Sequence, residues 1–141
     1  MRPKYETKAD RINQREVVNA VVSTRPGARW TEFQAFHVVD FAVWRGDDMV
    51  GLIEVKCRAC PSAESPDYAI SEAKWLAMIE EGRAQGVPVF LVVRFTDKTL
   101  WIPVTPGNFR VYRGGRRDRN DKCDVEPMVH LPWARFKTLA G

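Results

Sequence analysis

The sequence predicts an α/β fold in which a mixed β-sheet is flanked by helices. Two runs at 38–44 and 49–56 are rich in valine, isoleucine, phenylalanine and tryptophan and are separated by turn residues, which is typical of an antiparallel hairpin. Residues 71–85 carry apolar side chains at helical spacing. The apolar run at 87–95 is typical of a central strand that is covered on both faces.

The other elements complete this order along the chain. The first helix has Thr7 as its candidate N-cap and ends before Pro26. Ser71 is the candidate N-cap of the second helix, and Gly86 marks its end. In chain order, the predicted bounds are helix 8–22, strands 30–36, 38–44 and 49–56, helix 71–85, strands 87–95, 99–104, 109–113 and 128–131, and a short helix at 133–139.

The bulk properties indicate one globular domain. With 141 residues, of which 45% are hydrophobic and 28% charged, the chain can bury a real core. We expect a single domain over residues 1–141, with a core at about 8–104 and a basic arm with a short helix at 105–141. No apolar run approaches the roughly 20 residues of a membrane span, and the polar N-terminus lacks an apolar leader. The expected location is therefore the cytoplasm, away from a membrane.

The predicted hairpin brings two acidic side chains together. With a loop at 46–48, Asp40 lies opposite Glu54, and Lys56 shares the face of Glu54 because side chains alternate along a strand. Both faces look buried, and opposed buried carboxylates need a partner. A divalent cation such as Mg²⁺ or Mn²⁺ meets that need. Two acids that hold a cation beside a lysine are suited to phosphodiester hydrolysis.

This hairpin resembles the signature of the PD-(D/E)XK nucleases. Asp40 is followed after thirteen residues by Glu54-Val55-Lys56, and Val39 stands where the family has proline. The order of elements around the motif is also similar, above all to small phage-encoded and Holliday-junction-resolving members. The resemblance implies a restriction-endonuclease-like α-β-β-β-α-β core and a metal-dependent deoxyribonuclease.

The same resemblance implies roles for the motif residues. Asp40, Glu54 and the backbone carbonyl of Val55 would bind Mg²⁺, for which Mn²⁺ would substitute. Lys56 would position the attacking water or stabilise the transition state. The implied products carry 5′-phosphate and 3′-hydroxyl ends.

Glu16 is a further candidate catalytic residue, on the first helix. It shares a face with Ile12 and Ala20 at four-residue spacing, which indicates an inward or boundary orientation. In the resembled family the first helix often supplies an acidic residue to the metal site, which implies that Glu16 is an added ligand, directly or through water. The alternative is a glutamate at the helix margin that pairs with an arginine.

Lys74 lies in the first turn of the second helix, where the helix dipole disfavours a cation. An anion close to this turn would account for it. The pattern Ser71-x-x-Lys74-x-Leu76 resembles the helix that comes after the Glu-x-Lys strand in junction-resolving nucleases, and implies that Lys74 contacts the DNA backbone. The alternative is an exposed lysine on a surface helix.

The formal net charge of +4 is concentrated in residues 110–122. A local basic patch is typical of contacts to nucleic-acid phosphates, so we predict DNA as the partner. The alternative is a solvated loop. The candidate DNA-binding residues in this segment are Arg110, Arg113, Arg116, Arg117 and Arg119.

Two other functions stay open. One is a non-catalytic nucleic-acid-binding module that keeps a nuclease-like fold, although the presence of both acids and the lysine argues against a decayed site. The other is a zinc-stapled interaction protein that uses Cys57, Cys60, Cys123 and His130. The irregular spacing of the second pair makes free thiols the simpler interpretation.

The form of the DNA substrate is not decided by the sequence. No appended recognition domain is visible, so we expect cleavage that selects DNA structure with little sequence specificity. Endonuclease and exonuclease activity both stay open. A homodimer, to which Trp101 or Trp133 could contribute, would be required for cutting at two sites.

Overall fold

The computed structural model describes residues 8–34, 37–64, 67–107, 109–115 and 125–139, and these ranges contain two α-helices and nine β-strands. The helices are α1 (Lys8–Val22) and α2 (Glu72–Gln85). The strands are β1 (Ala28–Glu32), β2 (Phe41–Arg45), β3 (Asp48–Cys57), β4 (Asp67–Ser71), β5 (Val89–Arg94), β6 (Thr99–Pro103), β7 (Arg110–Gly115), β8 (Val125–Pro132) and β9 (Lys137–Thr138). Neither helix is long and apolar enough to cross a membrane.

The strands form two sheets. The larger sheet has six strands in the order β1-β2-β3-β5-β6-β9, and the smaller one has three in the order β4-β8-β7. β3 and β5 pair in parallel at the centre of the larger sheet, whereas all other neighbouring strands in this sheet pair antiparallel. The predicted mixed sheet flanked by helices is therefore confirmed.

The larger sheet is covered on both faces, and each face has its own core. On one face, α1 packs its buried valines against Phe41, Ile53 and Val92. On the other face, α2 and the smaller sheet enclose a larger core that includes Trp75 and Met78. Burial on both sides explains why β3 and β5 are nearly continuous apolar runs.

The second helix begins and ends at the predicted signals. The hydroxyl of Ser71 accepts a hydrogen bond from the backbone N–H of Lys74 at 3.0 Å, which caps the helix. Gly86 ends it with φ of +68°, in the left-handed region that favours glycine. These caps fix where the first turn of α2 meets the sheet.

The tight contact between α2 and β5 depends on Gly82. A Cβ atom at this position would lie 2.6 Å from Cγ2 of Val89 and 3.0 Å from the carbonyl oxygen of Val87. We expect Gly82→Ala to lower the free energy of unfolding by about 1–3 kcal/mol, because the clash outweighs a helix-propensity gain of about 1 kcal/mol. Urea denaturation measures the change.

Gly51→Ala is the matched control for that substitution. Gly51 is also buried, but its added Cβ would meet its nearest neighbours at 3.7 and 3.9 Å, which is ordinary van der Waals contact. Equal stability losses for the two alanine variants would contradict the close packing at Gly82.

The hairpin turn is tighter than predicted. We expected a three-residue loop with Arg45 opposite Met49, but Arg45 pairs with Asp48 and the turn consists of Gly46 and Asp47. Gly46 has φ of +62°, which glycine adopts at little cost. The shorter loop alone would move Asp40 out of register with the acid on the opposite strand.

A β-bulge restores the predicted register. The pairing shifts within the hairpin so that Val50 is the extra residue on β3, and beyond the bulge Phe41 pairs with Ile53. Continued by one residue, this register sets Asp40 opposite Glu54. The register predicted between β2 and β3 was therefore right at Phe41, although the predicted loop was wrong.

The chain after β3 differs most from the prediction. No strand was predicted between residues 57 and 70, but residues 67–71 form β4, which pairs with β8. The predicted last helix is reduced to a 3₁₀ turn at Trp133–Arg135, followed by β9 on the edge of the larger sheet. Val129, Leu131 and Phe136 are buried in the larger core, so the core extends beyond residue 104.

Asp97 ties the turn after β5 to the segment that comes after β3. Its carboxylate accepts hydrogen bonds from the backbone N–H and the hydroxyl of Ser62, each at 2.8 Å. The backbone hydrogen bond from Ser62 is the main reason that the pKa of Asp97 lies below its ordinary value of 3.8.

This link is expected to make the stability pH-dependent in one direction. A carboxyl group with a lowered folded-state pKa stabilises the fold above its ordinary pKa, and the stabilisation disappears as the pH falls through the lowered value. We expect Asp97→Ala to have a lower melting temperature than the wild type at pH 7 and the same one in strong acid. A pH-independent difference would contradict the ionic origin.

Candidate active site

Asp40 lies at the end of an irregular segment that leads into β2. Its side chain is buried, with 3% exposure. The backbone carbonyl of Asp40 accepts a hydrogen bond from Phe33 at 2.9 Å, and its Oδ2 accepts one from the backbone N–H of Val55 at 2.8 Å. The carboxylate is thus held against the strand that carries the Glu-x-Lys motif.

Glu54 lies on β3 and is the most buried charged side chain among the described residues, with 1% exposure. Its Oε2 lies 3.5 Å from Nζ of Lys56, which shares the same face of the strand. The same oxygen lies 3.2 Å from Nζ of Lys74. Two ammonium groups from different elements therefore meet at one carboxylate oxygen.

The structure brings Lys74 into this site. It lies in the first turn of α2, and its Nζ also donates a hydrogen bond to the carbonyl of Val38, in the segment that carries Asp40. Its side chain is 26% exposed. The anion that the sequence predicted near this turn is present as Glu54, and the contact of Lys74 with DNA stays a prediction.

The first helix approaches the site through Gln14 rather than Glu16. Nε2 of Gln14 lies 3.5 Å from the carbonyl oxygen of Val55, one of the candidate metal ligands. Glu16 is 59% exposed and forms an ion pair with Arg94 at 3.2 Å. The expected inward orientation of Glu16 is not observed, and its role as a ligand stays a prediction.

A signal for Gln14 was present in the sequence. Gln14 precedes the buried Val17 and Val18 by three and four residues, which is the spacing of one helix face. The face that was chosen instead contains Ile12, which is 46% exposed. Valine spacing was therefore the better guide to the inner face of α1.

Two residues that sequence reasoning missed lie next to the motif. Nη2 of Arg58 donates to the hydroxyl of Tyr68 at 3.3 Å, and the guanidinium lies 5.3 Å from the centre of its ring. Burial raises the pKa of Tyr68, while the positive charges of Arg58 and Lys56 oppose that rise. Arg58 lies two residues beyond Lys56, a spacing that signals a shared face, whereas Tyr68 lies on the strand that was not predicted.

The predicted basic patch is described in part. Arg110 and Arg113 lie on β7, in the smaller sheet, and Arg110 is exposed. Arg116, Arg117 and Arg119 fall outside the described residues. The proposed contact of this patch with DNA stays a prediction.

The residues considered for zinc do not converge within the described ranges. Nδ1 of His130 lies 3.0 Å from a carboxylate oxygen of Asp67, and Cys57 and Cys60 are free thiols. Burial raises the pKa of Cys57 above its ordinary value. Cys123 lies outside the described residues, and no group of three or more histidine, cysteine, aspartate or glutamate side chains gathers among the others.

The donor set of the site fits a hard divalent cation. Asp40 and Glu54 offer carboxylate oxygens from two adjacent segments, and the carbonyl of Val55 offers a third oxygen. Mg²⁺ and Mn²⁺ prefer such ligands and commonly keep several waters in addition. The two carboxylates are balanced by Lys56 and Lys74, so a bound ion would change the net charge of the site.

Comparisons with known proteins find similarity to nucleases. The sequence model of a family described as "Phage putative PDDEXK endonuclease" matches residues 1–139. Hjc of Archaeoglobus fulgidus, a Holliday junction resolvase from an archaeal hyperthermophile, has a similar structure, with a TM-score of 0.60, 13% identity, and coverage of 92% of this chain and 91% of Hjc. D212, a nuclease from a fusselovirus, is similar with a TM-score of 0.51 and 11% identity, over 99% of this chain and 90% of D212. At these identities the likenesses show a common fold. No protein of curated function matches the sequence.

Proposed function

Since the chain belongs to the phage PD-(D/E)XK endonuclease family, we propose that it is a Mg²⁺-dependent deoxyribonuclease that hydrolyses DNA phosphodiester bonds. The observation that supports this most is the buried pair of Asp40 and Glu54, with Lys56 beside Glu54. Buried carboxylates that face each other favour a bound cation.

Each residue of the site has a separate proposed role. Asp40, Glu54 and the carbonyl oxygen of Val55 would hold Mg²⁺, and Mn²⁺ would substitute for it. When bound, such an ion acidifies a water and offsets negative charge on the scissile phosphate. The backbone N–H of Val55 keeps the Asp40 carboxylate in place. Lys56, with 35% exposure, can reach solvent to orient the attacking water or to stabilise the transition state.

Other side chains would bind the DNA around this centre. Arg58 lies beyond Lys56 on the same side and would contact a phosphate next to the scissile one. Arg110 and Arg113 on β7, together with the basic residues after them, would bind the backbone further away. On α1, Gln14 is better placed than Glu16 to support the metal site, because Glu16 would first have to leave Arg94.

We infer that cleavage selects the structure of the DNA more than its sequence. The similarity of the fold to a Holliday junction resolvase supports this. Cutting a junction at two symmetric sites would require a homodimer, which we propose for the active form. The reaction would take place in the cytoplasm, where phage DNA is processed.

A cleavage panel tests the proposed function. Single-stranded, duplex, flap and four-way-junction DNA of the same sequence are incubated with the full chain in Mg²⁺, in Mn²⁺ and in chelator. We expect cleavage of branched DNA with either ion, none in chelator, and 5′-phosphate ends on the products. Size-exclusion chromatography with light scattering on the same samples reports the oligomeric state.

A different result would identify the alternative function. Binding that falls steeply with salt, without cleavage of any substrate in either ion, would indicate a non-catalytic nucleic-acid-binding module. Cleavage that continues unchanged in chelator would contradict the metal-dependent mechanism.

A further inference from the structure

Glu54 is in contact with two ammonium groups, one from its own strand and one from α2. One ammonium group at hydrogen-bonding distance would satisfy Oε2, yet Lys56 and Lys74 lie 3.5 and 3.2 Å from that same atom. The second lysine is brought there from α2, across the face of the sheet. Since the two lysines offset the charges of Asp40 and Glu54, an ion that binds there would add positive charge to a balanced site.

The two lysines reach Glu54 from different elements. Lys56 lies two residues beyond Glu54 on β3, so the strand holds both side chains on one face. Lys74 belongs to another element and reaches the site through a flexible four-carbon chain. Rotation about its side-chain bonds can move its ammonium group while the helix and the sheet stay in place.

A divalent ion and the Lys74 ammonium would compete for the same carboxylate. An ion bound to Glu54 would have two cations within a few ångströms, and the positive end of the α2 dipole would add to the repulsion. Removal of either ammonium from Glu54 would relieve part of it. Because the proposed catalysis needs Lys56 beside Glu54, Lys74 is the group that would move.

We propose that Lys74 is a counter-ion of Glu54 that a divalent cation displaces, an inference that rests on the proposed metal site. Through its bond to the Val38 carbonyl and its contact with Glu54, Lys74 connects α2 to both acid-bearing segments and holds them together before the ion binds. Displacement leaves the ammonium next to the ion, where it can contact the scissile phosphate. The predicted DNA contact of Lys74 is then a consequence of metal binding.

Competition predicts effects of opposite sign on stability and on metal affinity. In chelator, Lys74→Met is expected to lower the melting temperature, because a buried carboxylate loses one of its cations. Mn²⁺ is expected to bind about tenfold more tightly to this variant, equivalent to about 1.4 kcal/mol, because no ammonium has to be displaced. A lysine that only contacts DNA would change neither quantity.

The test is a titration of Mn²⁺ into the full chain without DNA, measured by calorimetry, with melting curves in chelator and in Mn²⁺. Lys74→Arg keeps the positive charge and is expected to stay within about twofold of the wild-type affinity. Lys98→Met removes the same charge from the exposed turn between β5 and β6 and is expected to match the wild type. Asp40→Asn shows whether the bound ion occupies the proposed site.

The outcomes separate this inference from the proposed function. If Mn²⁺ binds the wild type but not Asp40→Asn, and Lys74→Met binds it no more tightly than Lys98→Met, the displacement is wrong while the metal site stands. If the wild type does not bind Mn²⁺, or Asp40→Asn binds it equally well, the proposed metal site is contradicted. The proposed displacement of Lys74 is then contradicted as well. Should Lys74→Met fold poorly, the affinities of Lys74→Gln and Lys74→Arg decide the question in the same way.

Discussion

Cleavage is expected to fall by at least about a thousandfold when Asp40 is replaced by asparagine or Glu54 by glutamine. Each change replaces an anionic oxygen with a neutral amide and leaves the shape of the side chain almost unchanged. Two hard anionic ligands are what the proposed site offers to a cation, and the loss of either would release the ion at ordinary Mg²⁺ concentrations. Initial rates on the best substrate of the panel measure the effect.

The two variants are expected to differ in stability. In Asp40→Asn the amide oxygen can still accept the hydrogen bond from Val55, so the fold should be nearly unaffected. Glu54→Gln leaves Lys56 and Lys74 facing a neutral group, and we expect a loss of about 1–3 kcal/mol in the free energy of unfolding. Asp40→Asn is therefore the cleaner test of catalysis.

Asp48→Asn is the matched control, since Asp48 lies on the same hairpin but is exposed. It is expected to cleave at the wild-type rate. Wild-type activity in a purified Asp40→Asn protein, at a Mg²⁺ concentration that saturates neither protein, would exclude Asp40 as a ligand. Equal losses in Asp48→Asn and Asp40→Asn would point to a general effect of charge on DNA binding.

The motif hairpin could be predicted because its information is local. Asp40 directly precedes β2 and Glu54 lies on the adjacent β3, and β-branched runs with a turn between them determine such a pairing from nearby residues alone. The loop length was wrong, and the bulge at Val50 compensated for it. A bulge depends on the fit between the two strands, which residue types do not reveal.

Contacts between distant elements were harder to predict. β4 is stabilised by its pairing with β8, about sixty residues away in sequence. The segment just before β4 is rich in proline and serine, which is typical of a loop, so the strand was not predicted. The surroundings of Lys74 were predicted in part, because a cation in the first turn of a helix requires an anion nearby. The sequence could not show which anion, and Glu54 is brought there only by the packing of α2 on the sheet.

Lys56→Met is expected to reduce cleavage by about a hundredfold to ten-thousandfold without loss of metal binding. Lys56 donates no electron pair to a cation, and Glu54 keeps Lys74 as a neighbour when Lys56 is removed. Binding of the ion should therefore persist, or become slightly tighter. What is lost is the positive charge that orients the attacking water and stabilises the charge that develops on the phosphate.

Single-turnover rates at saturating Mn²⁺, together with Mn²⁺ affinity from calorimetry, separate these two roles of the site. Lys98→Met loses the same charge in an exposed turn, and it should match the wild type in both measurements. If Lys56→Met lost Mn²⁺ affinity in proportion to its rate, Lys56 would act by maintaining the site rather than in the chemical step. If Lys56→Met cleaved at the wild-type rate, Lys56 would not be required for catalysis. The catalytic role would then be assigned to Lys74, the other lysine that contacts Glu54.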